Sequence, residues 1–185
     1  KADTPGPDGA TALLMACEAM SMSVGVAVAM ARADGEVEPS KAGHVAVVRA
    51  LLDAGASVDA RNFGEPATGL HHAAEAGSLE QVEQLLAAGA KVDTRRTCKV
   101  SAGRRAQTMG DGATALLVAC EAMSMSVGAA VAMVRADGEV EPSRAGHVAV
   151  VRALLGAGAS VEAKRKDGST ALRVACEAIG RRGGG

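Results

Sequence analysis

The sequence predicts an all-α solenoid in which short helices stack in series and are joined by turns and short β-hairpins. Three observations predict it. Asp8 to Arg61 recurs as Asp111 to Lys164, 103 residues further on, with 47 of 54 positions identical; self-similarity at long period is the signature of repeat architectures. Apolar residues make up 48% of the chain but aromatics only 1%, with 41 alanines, and a core of Ala, Val, Leu and Met suits thin stacked helices better than a sandwich or barrel that needs bulky fillers. The third is spacing: apolar residues return at helical intervals between glycine stops.

Each unit opens in the same way. Asp8-Gly-Ala-Thr-Ala-Leu-Leu-Met-Ala-Cys-Glu-Ala19 returns at Asp111 and again at Asp167, with a looser copy from Thr68 to Ala76. Thr11, Thr68, Thr114 and Thr170 stand where a hydroxyl caps the free amides of a first turn, and Leu13, Ala16 and Cys17 fall on one helical face. A second helix follows, with stripes at Val45, Val48, Leu51, Leu52; at Leu79, Val82, Leu85, Leu86; and at Val148, Val151, Leu154, Leu155. Gly55, Gly89 and Gly158 then supply left-handed caps, and Asp-Gly at 8, 111 and 167 supplies turns into the next helix.

On these residues the chain resembles the ankyrin repeat family, whose units open with Thr-Pro-Leu-His-x-Ala and step into a second helix through Gly-His. Thr68-Gly-Leu-His-His-Ala-Ala-Glu-Ala-Gly77 matches most closely. The 33-residue period of the family is recovered when insertions are removed. Thr114 to Thr170 is 56 residues, and the 23 from Met123 to Ala145 leave 33; Thr11 to Thr68 is 57, and the 23 from Met20 to Ala42 leave 34. The resemblance divides a single array, residues 1–185, into repeat 1 over about 8–61 with an insertion at 20–42, repeat 2 over about 62–94, a basic hairpin insertion at 97–109, repeat 3 over about 111–164 with an insertion at 123–145, and a truncated fourth repeat over about 167–185. The ends carry no polar capping repeat, so the chain reads as a slice of a longer array.

The departures are informative. The family's Pro is replaced by Ala12, Gly69, Ala115 and Ala171, and its His survives only as His71, with Leu14, Leu117 and Arg173 elsewhere. In the inserted segments the period-2 alternation from Met20 to Ala31 favours a strand, whereas the Ala and Met content favours prolonging the first helix. The latter is the preferred expectation, with Pro39-Ser40 starting a longer second helix.

Candidate chemistry is sparse. Cys17, Cys120 and Cys176 occupy one position of successive first helices and read as small buried residues; Cys98, beside Arg95, Arg96 and Lys99, is the thiol expected to be exposed. Adjacent His71 and His72 point about 100 degrees apart in a helix, so they do not share an ion, and His44 and His147 read as structural. Asp34-Gly35-Glu36 lacks the ligand spacing of a calcium loop. With no nucleophile elbow, phosphate loop or dinucleotide fingerprint, neither a catalytic residue, a metal site nor a cofactor is expected.

Charge is balanced at -1 overall, which gives no global attraction to nucleic acid or membrane. The longest apolar stretch, Thr11 to Ala31, is interrupted by Glu18 and falls short of a membrane span. Few cysteines and no signal peptide point to an intracellular protein, cytoplasmic rather than nuclear. Locally, Arg61, Arg95, Arg96, Arg104, Arg105, Lys164, Arg165 and Lys166 all fall in hairpin segments, which the resemblance aligns along one edge. That edge is the candidate docking surface for an acidic protein partner. Specific nucleic-acid reading is not expected without aromatics for base stacking. The functional expectation is therefore a non-enzymatic interaction module of the scaffold or adaptor type, the alternative being a regulatory or targeting segment of a larger enzyme or channel. Oligomeric state is left open.

Overall fold

A computed structural model describes residues 3–7, 9–19, 39–61, 67–97, 112–131 and 142–180. Seven helices occupy them: α1 over 12–19, α2 Pro39–Asp53, α3 Gly69–Ala76, α4 Leu79–Ala87, α5 Ala115–Val131, α6 Pro142–Gly156 and α7 Ala171–Gly180. No strand occurs among the described residues. Odd-numbered helices form one row, in which α3 packs on α5 and α5 on α7, and even-numbered helices a second, α2 on α4 on α6. The all-α repeat solenoid expected from the sequence is thus the observed architecture.

The punctuation follows backbone chemistry. Gly55, Gly89 and Gly158 have φ of 79, 87 and 86°, a conformation that costs glycine nothing. Each closes a cap in which the following alanine donates five residues back, Ala56 to Leu51, Ala90 to Leu85 and Ala159 to Leu154, all at 3.0 Å, so orphan carbonyls at the helix end are satisfied. Pro39 and Pro142 open their helices, where the missing amide is no loss. α5 runs on past Met123 to Val131, so this part of the insertion prolongs the first helix. Residues 20–38 and 132–141 lie outside the described residues, and with them the rest of both insertions.

The core lies between the rows and between successive repeats. Leu13, Leu70, Leu85, Leu116, Leu117 and Leu154 are all fully buried. Cys17 packs where α1 meets α3: a Cβ on Gly69 would come within 3.0 Å of its sulfur. Burial pushes the Cys17 thiol up to about 12 and raises that of Cys120, which keeps both protonated and inert.

Two sequence expectations need correction. Cys176, the counterpart of Cys17 and Cys120, is exposed, because no described helix follows α7 in its row. The apolar stripe of α6 is also turned. In α2 the buried residues are Val45 and Val48, as expected; in α6 they are His147, Val150 and Leu154, whereas Val148 and Leu155 are 38% and 42% exposed. The two helices are almost identical in sequence, but their neighbours differ. α2 has α4 on its C-terminal side, and α6 has α4 on its N-terminal side, so each buries the flank that has a partner.

Candidate interaction surface

Three devices hold the hairpin edge and the stack behind it. The first is an aspartate ladder: Asp3 Oδ1 accepts from the Ser57 amide at 2.7 Å, Asp59 Oδ1 from Lys91 at 3.1 Å, and Asp93 Oδ1 from Ser160 at 3.0 Å. Each rung joins the turn of one repeat to the turn of the next, fixing their spacing along the edge.

The second device is a pair of polar ties through histidine. His71 is fully buried, and its Nδ1 accepts from the Thr68 amide at 3.2 Å and from the Thr68 hydroxyl at 2.9 Å, while Nε2 donates to Ala113 O at 3.2 Å. That network fixes the neutral tautomer with its proton on Nε2. Burial, and next the Arg96 charge, lower the imidazole pKa to about 4. Where repeat 3 has Leu117 instead, Thr114 Oγ1 is buried with no partner. His147 ties α6 to the end of α3, its Nε2 donating to Glu75 O at 3.0 Å. The ring lies against Gly77, whose missing side chain (φ 66°) leaves it room: a Cβ there would sit 2.8 Å from Cε1.

The third device sorts the basic residues by direction. Along an extended limb, successive side chains point to opposite faces. Arg96 and Arg165, equivalent in the repeat, turn inward toward the first-helix glutamates. The Arg96 guanidinium is 3.9 Å from Glu75 Oε2, and Arg165 is buried and forked onto Glu121 at 3.0 and 3.5 Å. Such a bidentate, water-excluded pair is a strong structural contact. The preceding positions, Arg61, Arg95 and Lys164, are exposed, as is Lys166. Arg95 additionally stitches neighbouring hairpins, donating to Gly112 O at 3.2 Å and to Lys164 O. Arg104 and Arg105 lie outside the described residues, as does Cys98.

The ladder and the inward pairs were not anticipated from the sequence, although a signal was present. Glu18, Glu75, Glu121 and Glu177 recur at one position of the four first helices, and a column of acids facing a column of Arg at the same register announces internal pairing.

Residues 8–63 and 67–97 match the family model of the ankyrin repeat. This is an ankyrin-repeat protein. The second half follows from the first, because residues 111–164 copy the matched 8–61 at 47 of 54 positions. A search of curated proteins returned no match. Ankyrin repeats are protein–protein interaction modules, and the family is typically non-catalytic. Among the described residues no group of three His, Cys, Asp or Glu side chains is arranged to hold a metal ion, and no described helix is long and apolar enough to cross a membrane.

Proposed function

We propose that this ankyrin array is a non-enzymatic scaffold or adaptor whose hairpin edge docks an acidic segment of a protein partner. The observation that carries this reading is the division of the basic residues. Arg96 and Arg165 turn inward toward Glu75 and Glu121, whereas Arg61, Arg95, Lys164 and Lys166 are exposed on the outer side of the hairpins. Arg104 and Arg105 add charge to the segment between Thr94 and Gly110, which contains five basic residues and no acid. A row of outward charge held at the repeat spacing by the aspartate ladder favours an extended acidic ligand. Among the described residues Cys17, Cys120 and Cys176 are free thiols, which agrees with a reducing, cytoplasmic setting.

The test uses a synthetic Asp/Glu-rich peptide as probe. Binding should fall steeply as salt rises, and replacing Arg61, Arg104, Arg105, Lys164 and Lys166 together by Ala should weaken it at least tenfold with the thermal midpoint unchanged. Arg165→Ala should do the reverse, lowering the midpoint while sparing most of the affinity. Binding that ignores both salt and the five-site variant would move the docking surface off the hairpins.

A further inference from the structure

Two hairpin limbs bring Arg95, Lys164 and Lys166 together around one glycine. Arg95 reaches forward from the hairpin of repeat 2, and its Nη1 donates to Gly112 O at 3.2 Å and to Lys164 O, so its charge sits on the next hairpin rather than on its own. A Cβ on Gly112 would lie 3.7 Å from Arg95 Nη1, 3.8 Å from Lys166 Cγ and 3.5 Å from Lys166 N. The head of Arg95 and the stem of Lys166 therefore meet over this glycine. Lys164 and Lys166 are exposed, and Arg165 between them is turned away onto Glu121. Of the acids adjoining the cluster in sequence, Asp167 accepts from the Ser169 amide at 2.8 Å, and Asp111 lies outside the described residues.

What sets Arg95 apart is which donors it has left. Both hydrogens on Nη1 are taken by the two carbonyls, and those on Nε and Nη2 have no partner among the described residues. The Nε–H and the Nη2–H beside it run parallel, which is the side-on edge that matches two oxygens of one anion. Arg95 is exposed, yet the carbonyls hold its head in place before any ligand arrives. That reduces the ordering cost a long side chain ordinarily brings to binding. The same chemistry is satisfied internally one hairpin on, where Arg165 forks onto both oxygens of Glu121 at 3.0 and 3.5 Å. Lys164, at the Arg95 position of repeat 3, is a point charge without a fork.

We propose that this side-on edge is a phosphate-binding anchor. It takes the phosphomonoester of a phosphoserine in the partner, with two phosphate oxygens on Arg95 Nε and Nη2 and the third toward Lys164 and Lys166. The proposal rests on the docking reading given above and names the group that fixes the partner's register along the edge. A carboxylate spends both oxygens on the fork and leaves the lysines unmatched. A phosphomonoester has three terminal oxygens and close to two charges near neutral pH, so it engages the fork and the lysines at once.

The test uses three peptides of one Asp/Glu-rich sequence, with Ser, Asp or phosphoserine at the centre, titrated against the full chain by fluorescence anisotropy at a single ionic strength. The phosphoserine peptide should bind about tenfold tighter than the Asp peptide, the low end for a hydrogen bond to a charged group. Arg95→Lys keeps the charge and loses the fork, so it should bring those two peptides to within about twofold. Arg95 also stitches two hairpins, and Lys164→Ala supplies a variant that leaves the stitch in place, because the stitch uses the main-chain oxygen. It should shrink the phosphoserine preference severalfold at an unchanged thermal midpoint, whereas Arg61→Ala, outside the cluster, should weaken all three peptides alike. Equal affinity for the phosphoserine and Asp peptides overturns the anchor and leaves the acidic docking edge standing. A preference that survives both Arg95→Lys and Lys164→Ala does the same. Failure of all three peptides to bind refutes the docking edge itself, and the anchor with it.

Discussion

Gly43 and Gly146 lie in the same local sequence, Ala-Gly-His-Val, at the same position of two nearly identical helices, yet replacing them with alanine should have opposite effects. In α2 nothing lies within 4 Å of a Cβ built on Gly43, so Gly43→Ala only removes a helical glycine and should stabilise by about 0.5–1 kcal/mol. In α6 the Cβ of Gly146 would lie 2.6 Å from Gly77 O, a backbone atom held by the α3 cap. α6 must then move away from α3, which also stretches the 3.0 Å bond from His147 to Glu75 O. Overpacking of this kind costs about 1–3 kcal/mol and the weakened hydrogen bond about 1 kcal/mol. Set against the same propensity gain, Gly146→Ala should destabilise by about 1–3 kcal/mol. Urea unfolding followed by far-UV circular dichroism measures both, and thermal midpoints should move by about 2–4 °C per kcal/mol in opposite directions. If both variants shift the same way, the close approach of Gly146 to Gly77 does not hold the two repeats together and the reasoning fails.

Three further outcomes follow from the buried groups. His71 is neutral in the folded chain, with burial lowering its pKa to about 4 from the ordinary 6.5 of a histidine; the unfolded chain therefore binds the extra proton between those values, so stability is full above pH 6.5 and is lost as pH falls toward 4, by up to about 3 kcal/mol. His71→Asn should flatten that slope in urea midpoints taken at successive pH values, and an unchanged slope would assign it to other groups. Gln81 is fully buried with both amide atoms unpartnered, while its repeat counterparts are Val47 and Val150; Gln81→Leu should raise stability by about 1–2 kcal/mol, and a lower midpoint would contradict the orphaned amide. In dilute protein Cys176 should react with a thiol reagent well before Cys17 and Cys120, and equal rates for Cys17 and Cys176 would remove Cys17 from the interior.

The features legible in the sequence were those that a few adjacent residues decide. A glycine after Leu-Leu-x-Ala closes a helix because only the local backbone has to turn, and Pro39 and Pro142 begin helices for the same reason. What stayed hidden depends on neighbours elsewhere in the stack. Periodicity marks Val45 and Val148 as equivalent, but one is covered and the other is not, because the stack continues past α2 and not, among the described residues, past α6. Cys176 differs from Cys120 on the same ground. The basic edge was found by counting hairpin charges, and counting does not distinguish Lys164 from Arg165, whose side chains leave opposite faces of one limb. His71 shows an intermediate case. Its motif was recognisable, and the depth at which it bridges to Ala113 became visible only with repeat 3 in place.

Two backbone hydrogen bonds pinch the chain at the neck of the basic hairpin, from Arg96 N to Ala113 O and from Gly112 N to Arg96 O, both 2.8 Å. Residues 96 and 112–113 are therefore held together, and these bonds set the register of repeats 2 and 3 whatever the number of residues between them. Closing a longer loop at a fixed neck costs only about 0.6 kcal/mol for each doubling of its length. Residues 98–110 thus mark a graft site: foreign peptides of quite different lengths could be displayed there, each inheriting a rigid two-point mount and leaving the helices on either side in register.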